Sequence, residues 1–238
     1  MYDSVIFDHD GVLTTLVDIS LLHDATWAAF DELGVVDPDP EHVRQMVIHV
    51  TPDDVHTVAD AYDLDPETLF RVRDEKSSAY QCDAIADGLK APYDDFDAIR
   101  RIDAPMGIVS SNQQATIDYV LDHLDATELF GTAYGREPSM TSLHRKKPEP
   151  YYLEQAMSDL GVESPLFVGD SDVDIAAAHA AGVDSAFIRR DHRADHTPSP
   201  DPTHEVSGLD DLLAIDGVPV ATDGGRTDSS SAGDGVTR

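Results

Sequence analysis

Residues 5–14 have the sequence VIFDHDGVLT, in which an apolar run of strand-forming residues ends in two aspartates and a glycine. Such a run is typical of a strand that is buried on both faces of a parallel sheet. Because side chains alternate along a strand, Asp8 and Asp10 are expected to point the same way. His9 is then expected on the opposite face, outside the chemistry. A solvated turn rich in aspartate would also explain these residues, so the rest of the chain has to decide.

The second half of the chain alternates short apolar runs with helical patterns. The apolar runs lie at residues 106–112, 131–134, 166–168 and 186–188, and the helical patterns at residues 113–124, 150–160 and 175–181. This alternation predicts βαβ units and therefore an α/β fold with a Rossmann-like parallel sheet. In such sheets, binding sites lie at the C-terminal ends of the strands.

Residues 15–87 show helical patterns without a strong strand signal. Three helix starts are indicated at Asp39, Thr51 and Asp65, because each is a capping residue followed directly by a proline suited to the first turn. The residues after Gly217 are almost free of large apolar side chains, which is typical of a flexible tail. The chain is therefore predicted to consist of a core (residues 1–14 and 88–216), an all-helical insert (residues 15–87) and a flexible tail (residues 217–238).

The charge balance is extreme, with 47 acidic against 16 basic residues and a formal net charge of −31. A surface this negative repels phosphate groups, so nucleic acids and anionic membranes are excluded as expected partners. The acidic residues are 37 Asp and 10 Glu, whereas the chain contains only 4 Lys. This composition resembles that of proteins from salt-accumulating microbes, whose surface charge is screened at a Debye length of about 3 Å near 1 M salt.

The compartment is predicted from what the sequence lacks. Cys82 is the single cysteine, so no intrachain disulfide can form and a reducing cytoplasm is expected. The first residues show no basic segment followed by an apolar stretch, which argues against a secretory signal. No apolar window approaches the roughly 18 residues that a membrane span needs. A cytoplasmic monomer or homodimer is the expectation.

Three of the predicted strands end in polar residues, and a further polar residue lies in a loop. They are Asp8 and Asp10, Ser110, Asp170 with Asp174, and Lys147 before a proline. In a parallel sheet these groups collect at one edge. Carboxylate oxygens suit Mg²⁺, while a lysine and a hydroxyl suit the oxygens of a phosphate. By contrast, the histidines at 192, 196 and 204 lack metal-ligand spacing and lie among prolines and aspartates, which favours a solvated loop.

The same residues carry a resemblance to a known family. The segments Asp8-His9-Asp10-Gly11, Ser110, Lys147-Pro148 and residues 169–174 (GDSDVD) resemble, in order, the four motifs of the haloacid dehalogenase-like hydrolase superfamily. The helical insert resembles the C1 cap of that superfamily. The run Lys-Pro-Glu-Pro from Lys147 and the Ala-Ala-Gly ending at Gly182 are most similar to the phosphoglycolate phosphatase and β-phosphoglucomutase branch.

This resemblance implies a phosphatase that acts on a small phosphorylated metabolite, such as phosphoglycolate or a sugar phosphate, through an aspartyl-phosphate. Asp8 would be the nucleophile, and Asp10 would protonate the leaving alcohol and then activate water. Mg²⁺ would be held by Asp8, the backbone carbonyl of Asp10 and Asp170, with Asp174 in support. The phosphoryl group would be bound by Ser110 or Ser111, by Asn112 and by Lys147.

Other activities would place different demands on these residues. A phosphomutase would use the same core residues and differ in how the cap manages water. A dehalogenase has no need for Asp10 as an acid or for a metal, and phosphonate cleavage would need a lysine in the cap, which offers only Lys76. A non-catalytic phospho-acceptor would have little use for Asp10 or for a helical cap.

Overall fold

Six parallel strands form one sheet at the centre of the computed structural model, which describes residues 1–221. The strands are β1 (Ser4–Phe7), β2 (Met106–Gln113), β3 (Thr132–Arg136), β4 (Pro165–Gly169), β5 (Asp184–Ile188) and β6 (His204–Val206). Their order in the sheet is β3-β2-β1-β4-β5-β6. The order reverses between β1 and β4, as in the Rossmann arrangement. The predicted fold class is therefore confirmed.

Strand β1 is buried on both faces, as its apolar run predicts. Val5 and Phe7 belong to the hydrophobic cluster on one side of the sheet, whereas Ile6 packs with Val109 and Phe167 on the other side. These three apolar side chains of β1 have no exposed surface. Burial of each large apolar side chain contributes about 1.5–3 kcal/mol. The strand that precedes Asp8 is thus held firmly at the centre of the sheet.

Helices cover both faces of the sheet and form a separate group beside it. The α-helices of residues 1–221 are α1 (Ile19–Glu32), α2 (Pro40–Gln45), α3 (Pro52–Ala61), α4 (Pro66–Ala86), α5 (Gln114–His123), α6 (Met140–Leu143), α7 (Tyr151–Leu160), α8 (Asp172–Ala181) and α9 (Leu209–Leu212). Helix α7 packs on β2 and β3, and α8 packs on β4 and β5.

Helices α1–α4 share a hydrophobic cluster, in which Phe30 and Phe70 are buried and to which α6 contributes Leu143. The three predicted helix starts are confirmed, because Asp39, Thr51 and Asp65 each accept a hydrogen bond from a backbone N–H in the first turn. These caps satisfy donors that would otherwise be left without partners at the helix ends. The boundaries of the insert at residues 15 and 87 stay a prediction.

The structure differs from the sequence prediction at the C-terminal side. Strand β6 was not predicted, and residues 217–221, expected to begin the tail, pack against the core. The amide of Tyr2 donates a hydrogen bond to the Gly217 carbonyl (2.8 Å), and Val218 is buried. The rest of the predicted tail, residues 222–238, lies outside the described residues. Among residues 1–221, no helix is long and apolar enough to cross a membrane.

Candidate active site

The ends of three neighbouring strands bring the predicted site residues together. Asp8 follows β1 directly, Ser110 lies near the end of β2, and Asp170 follows β4. The register pairs the last residue of β1 with β2 on one side and β4 on the other, and the Asp8 amide continues the ladder by donating to the Val168 carbonyl (2.8 Å). This edge is the point where the strand order reverses, where ligands bind in doubly wound sheets.

Three carboxylates form a buried cluster at this edge. Asp8, Asp170 and Asp174 each place one oxygen within 4.8 Å of the others. Asp174 lies in the first turn of α8, where it forms a reciprocal capping box with Ser171. A Cβ at Gly169 would lie 2.2 Å from the Asp174 Cβ, so only a glycine lets the helix approach this closely. The sequence therefore brings the third carboxylate to the site through a helix cap and a glycine.

Lys147 lies inside the same cluster. Its Nζ is 2.8 Å from Asp8 Oδ1 and 2.5 Å from Asp174 Oδ1, and it donates to the Val109 carbonyl at 3.2 Å. Burial lowers the pKa of Lys147, but the charges of Asp174 and Asp8 outweigh burial and the net change is upward. Three carboxylates and one ammonium carry a net charge of −2 when all are ionised.

The unbalanced charge also acts on Asp8. Burial, together with the negative charges of Asp174 and Asp170, raises the pKa of Asp8 to about 8, although Lys147 opposes this change. A divalent cation among these carboxylates would remove the repulsion. Oxygen ligands of this kind are those that Mg²⁺ prefers, so the donor set fits the predicted metal.

Asp10 lies beside this cluster, and its carboxylate is not one of the clustered groups. Asp10 Oδ2 accepts a hydrogen bond from Asn112 Nδ2 (2.7 Å), and Oδ1 contacts Lys90 Nζ and His9 Nδ1, the latter at 2.8 Å. Burial raises the pKa of the Asp10 carboxyl, but Lys90 and His9 outweigh burial and hold the net pKa well below its usual range. The resting carboxylate is therefore ionised and held by donors.

Two of these contacts correct the sequence analysis. His9 was expected on the opposite face, away from the chemistry, yet its ring contacts Asp10. The reason is that β1 ends at Phe7, so the alternation of strand side chains does not extend to residues 8–10. Lys90, which is 2 % exposed, was missed. Its sequence signal was its rarity, since it is one of only four lysines and lies three residues after the predicted insert.

The predicted phosphate-binding residues have different surroundings. Ser110 Oγ accepts a hydrogen bond from the backbone N–H of Asn112 (3.2 Å). Ser111 Oγ is buried and has no hydrogen-bond partner among the described residues. The Asn112 side chain donates to Asp10 and to Gln81 Oε1 (2.8 Å), so in this structure it links the site to α4. Their roles toward a phosphate stay predictions.

The loop after β5 contributes a side chain that the sequence analysis had assigned to a solvated loop. His192 Nε2 lies 2.6 Å from Asp170 Oδ2, and Arg193 Nε lies 3.3 Å from the same oxygen. His196 contacts Asp172 at the start of α8. The loop is largely exposed, as expected, but two of its histidines also contact aspartates at the site edge, and His204 lies in β6 rather than in the loop. No spacing pattern marked them, because the contacts depend on the fold.

Comparison with known proteins agrees with this geometry. Residues 5–188 match the family described as haloacid dehalogenase-like hydrolase. The chain belongs to this family. Within it, the phosphoglycolate phosphatase of Rhodobacter capsulatus is 24 % identical over 220 residues, covering 90 % of this chain and 97 % of that protein. The phosphoglycolate phosphatase of Photorhabdus laumondii is 32 % identical over 118 residues, covering 48 % of this chain and 49 % of that protein.

For the Photorhabdus protein and for phosphoglycolate phosphatases of Cereibacter sphaeroides, the aligned part spans about half of the relative's length. Among solved structures of the same hydrolase fold, CbbY from Rhodobacter sphaeroides in complex with phosphate has a TM-score of 0.67 and 19 % identity. That alignment covers 89 % of this chain and 96 % of CbbY. At this identity the likeness shows the fold alone.

Proposed function

We propose that this haloacid dehalogenase-like protein is a Mg²⁺-dependent phosphatase that hydrolyses a small phosphomonoester, either phosphoglycolate or a sugar phosphate. The observation that carries the proposal is the buried cluster of Asp8, Asp170 and Asp174 around Lys147 at the reversal of the sheet. The phosphoglycolate phosphatases among its relatives, and the CbbY structure solved with xylulose-(1,5)bisphosphate, support a small phosphorylated substrate.

Asp8 is the proposed nucleophile, since its Oδ1 is already held by Lys147 and by the His9 amide (2.7 Å), which leaves Oδ2 for attack on phosphorus. The bond from phosphorus to the leaving oxygen breaks as the aspartyl-phosphate forms. Lys147 and the hydroxyl of Ser110 or Ser111 bind the transferring phosphoryl oxygens. Asp10, which is ionised at rest, must take up a proton as the ester binds; it passes that proton to the leaving alcohol in the first step and receives the proton of the attacking water in the second.

The carboxylates of Asp8 and Asp170 and the backbone carbonyl of Asp10 would hold the cation, with Asp174 in support. A bound Mg²⁺ would supply the positive charge that keeps Asp8 ionised at neutral pH and offsets the charge of the phosphate. Helices α1–α4, the proposed cap of residues 15–87, would exclude water and select the ester. Gln81 of α4 connects this proposed cap to the site, because its Oε1 accepts a hydrogen bond from the Asn112 side chain, which also contacts Asp10.

The test is phosphate release from p-nitrophenyl phosphate and phosphoglycolate in about 2 M KCl, which screens the surface charge, with MgCl₂ or with EDTA. We expect release over many turnovers with Mg²⁺ only, and a loss of roughly 10³-fold or more in Asp8→Asn. Asp172→Asn is the matched control, because this carboxylate begins α8 but contacts His196 and Ser199 outside the cluster.

Undiminished activity of Asp8→Asn would refute the assignment of the nucleophile. Equal rates with MgCl₂ and EDTA would refute the cofactor. A single equivalent of phosphate transferred to the protein, without turnover, would instead identify a phospho-acceptor, and isomerisation of a sugar phosphate without net phosphate release would identify a mutase.

A further inference from the structure

The loop that follows β5 reaches the carboxylate cluster from outside the four family motifs. His192 and Arg193 lie on a short 3₁₀ turn, Asp191–Arg193, and both contact one oxygen of Asp170, at 2.6 Å and 3.3 Å. Asp170 itself is 4 % exposed. Because both side chains contact Oδ2, the other oxygen of Asp170, Oδ1, receives no hydrogen bond from the loop. The loop therefore fixes the rotation of this carboxylate.

The backbone of the first motif leaves space for this pair. Gly11 has a positive φ of 81°, and a Cβ at this position would lie 2.5 Å from Asp170 Oδ2 and 3.1 Å from His192 Nε2. Any larger residue would displace both groups. The imidazole and the carboxylate thus pack together against the chain segment that carries Asp8 and Asp10.

The loop is held in place by two arginines at the end of β5. Arg189 donates to the carbonyls of Arg193 (3.1 Å) and His196 (2.6 Å). Arg190 donates to the Val12 carbonyl (2.9 Å) and forms a two-bond pair with Asp95 (2.8 and 2.9 Å). A side chain presented by a braced backbone is positioned more accurately than one on a free loop.

The same loop offers an internal comparison. His196 Nε2 lies 2.8 Å from Asp172 Oδ1, so two histidines of one loop each contact one aspartate. Asp170 belongs to the cluster of three carboxylates, whereas Asp172 does not. Both pairs join an imidazole to a carboxylate, but of the two carboxylates only that of Asp170 lies in the cluster proposed to bind the cation.

We propose that His192 is a positioning residue for the metal site: its Nε2–H holds Asp170 in the orientation in which the carboxylate binds the cation. This inference rests on the proposed function, because it assumes that the cluster binds Mg²⁺. Hydrogen-bond partners of metal-ligating carboxylates fix the geometry of the ligand, and their loss typically weakens metal binding about 10–100-fold. Arg193, at the longer distance, is the minor partner.

The experiment measures cation binding directly, without turnover. Free Mn²⁺ is followed by electron paramagnetic resonance in the presence of the full chain, and Mg²⁺ affinity is obtained by competition. We expect His192→Ala to raise the Kd of both ions by about 10–100-fold. His192→Gln, whose amide N–H can replace the Nε2–H, is expected to restore most of the affinity. His196→Ala is expected to bind both ions like the native protein.

The outcomes separate this inference from the proposed function. If the native chain binds neither Mn²⁺ nor Mg²⁺, the proposed cofactor fails. If the native chain binds them and both His192 variants stay within about twofold of it, the cofactor stands and the role of His192 is refuted. A loss of Ni²⁺ affinity with unchanged Mg²⁺ affinity would also refute it, because imidazole nitrogen as a direct ligand favours Ni²⁺ over Mg²⁺.

Discussion

A buried ion-pair network joins α4 to the sheet, and its central carboxylate is Asp74. Asp74 is fully buried; its Oδ1 lies 2.7 Å from Arg73 Nη1, and its Oδ2 lies 2.9 Å from Arg136 Nη1 at the end of β3. Gln113 also donates to Oδ1 (3.2 Å). Replacing Asp74 with Asn keeps the shape but leaves two buried guanidinium groups without a counter-charge.

Removing one partner of a buried ion pair costs about 3–5 kcal/mol. The lower end applies, because Arg73 keeps the Met46 carbonyl (2.7 Å) and Arg136 keeps the Ser111 carbonyl (2.7 Å) as acceptors. We therefore expect Asp74→Asn to lower the free energy of unfolding by about 3 kcal/mol. For a domain of this size that corresponds to a fall in Tm of roughly 6–12 °C.

The neighbouring residue provides the control. Glu75 pairs with Arg71 at 2.9 Å, but both side chains are about half exposed, so Glu75→Gln is expected to cost at most about 1 kcal/mol. Unfolding is measured with urea, which leaves ionic strength unchanged, and is followed by circular dichroism and by the fluorescence of Trp27, the single tryptophan. The Asp74 effect should persist between about 0.5 M and 3 M KCl, because salt screens buried pairs weakly.

The contribution of Asp74 to the free energy of unfolding depends on pH in a defined direction. Burial raises the pKa of Asp74, but Arg136 and Arg73 outweigh burial and hold its net pKa below the usual range. Its contribution to stability is therefore fully present above the unfolded pKa of about 3.9 and is lost as the pH falls through the lower folded value. A difference below about 1 kcal/mol between native and Asp74→Asn at neutral pH, or an equal loss in Glu75→Gln, would refute the argument.

Two further predictions concern Asp10, the proposed acid–base residue, and the surface charge. Lys90→Met removes the ammonium that holds Asp10, so hydrolysis of an alkyl phosphate should fall about tenfold or more, while p-nitrophenyl phosphate, whose leaving group needs little protonation, should be affected less. When Lys90→Met is added to Asp10→Asn, the double variant should lose no more activity than Asp10→Asn alone. Additive losses would contradict the conclusion that Lys90 acts through Asp10. The net charge of −31 predicts that Tm rises from about 0.1 M to 2 M KCl, and a flat or falling Tm measured by calorimetry would contradict it.

The parts of the fold that the sequence predicted correctly depend on local patterns. A capping residue followed by proline locates the starts of α2, α3 and α4, because both the cap and the fixed proline φ act within one turn. The apolar runs locate β1, β2 and β4. Strand β6 was missed because its three residues, His204–Val206, are too few to show a period.

The parts that were missed depend on contacts between distant residues. Lys90 contacts Asp10 across 80 positions, and His192 contacts Asp170 across 22. No spacing rule reports such contacts. The error at His9 has a different cause, since the rule was correct but was applied beyond Phe7, where the strand ends. Alternation is a property of strand backbone, and residues 8–10 lie just beyond the point where that backbone stops.

The distribution of lysine shows how the acidic surface and the site are connected. Only Lys76 forms a surface pair, with Glu32, whereas the other three lysines point inward: Lys90 to Asp10, Lys146 to the Val50 carbonyl and Lys147 to Asp8 and Asp174. A strongly hydrated ammonium is dispensable on a surface that favours short carboxylates. Inside, the ammonium groups of Lys90 and Lys147 lie where the carboxylates of the site gather. Because two of the four lysines, Lys90 and Lys147, contact carboxylates of the site, the rarity of lysine narrows the sequence candidates for such a contact to four residues, Lys90 among them.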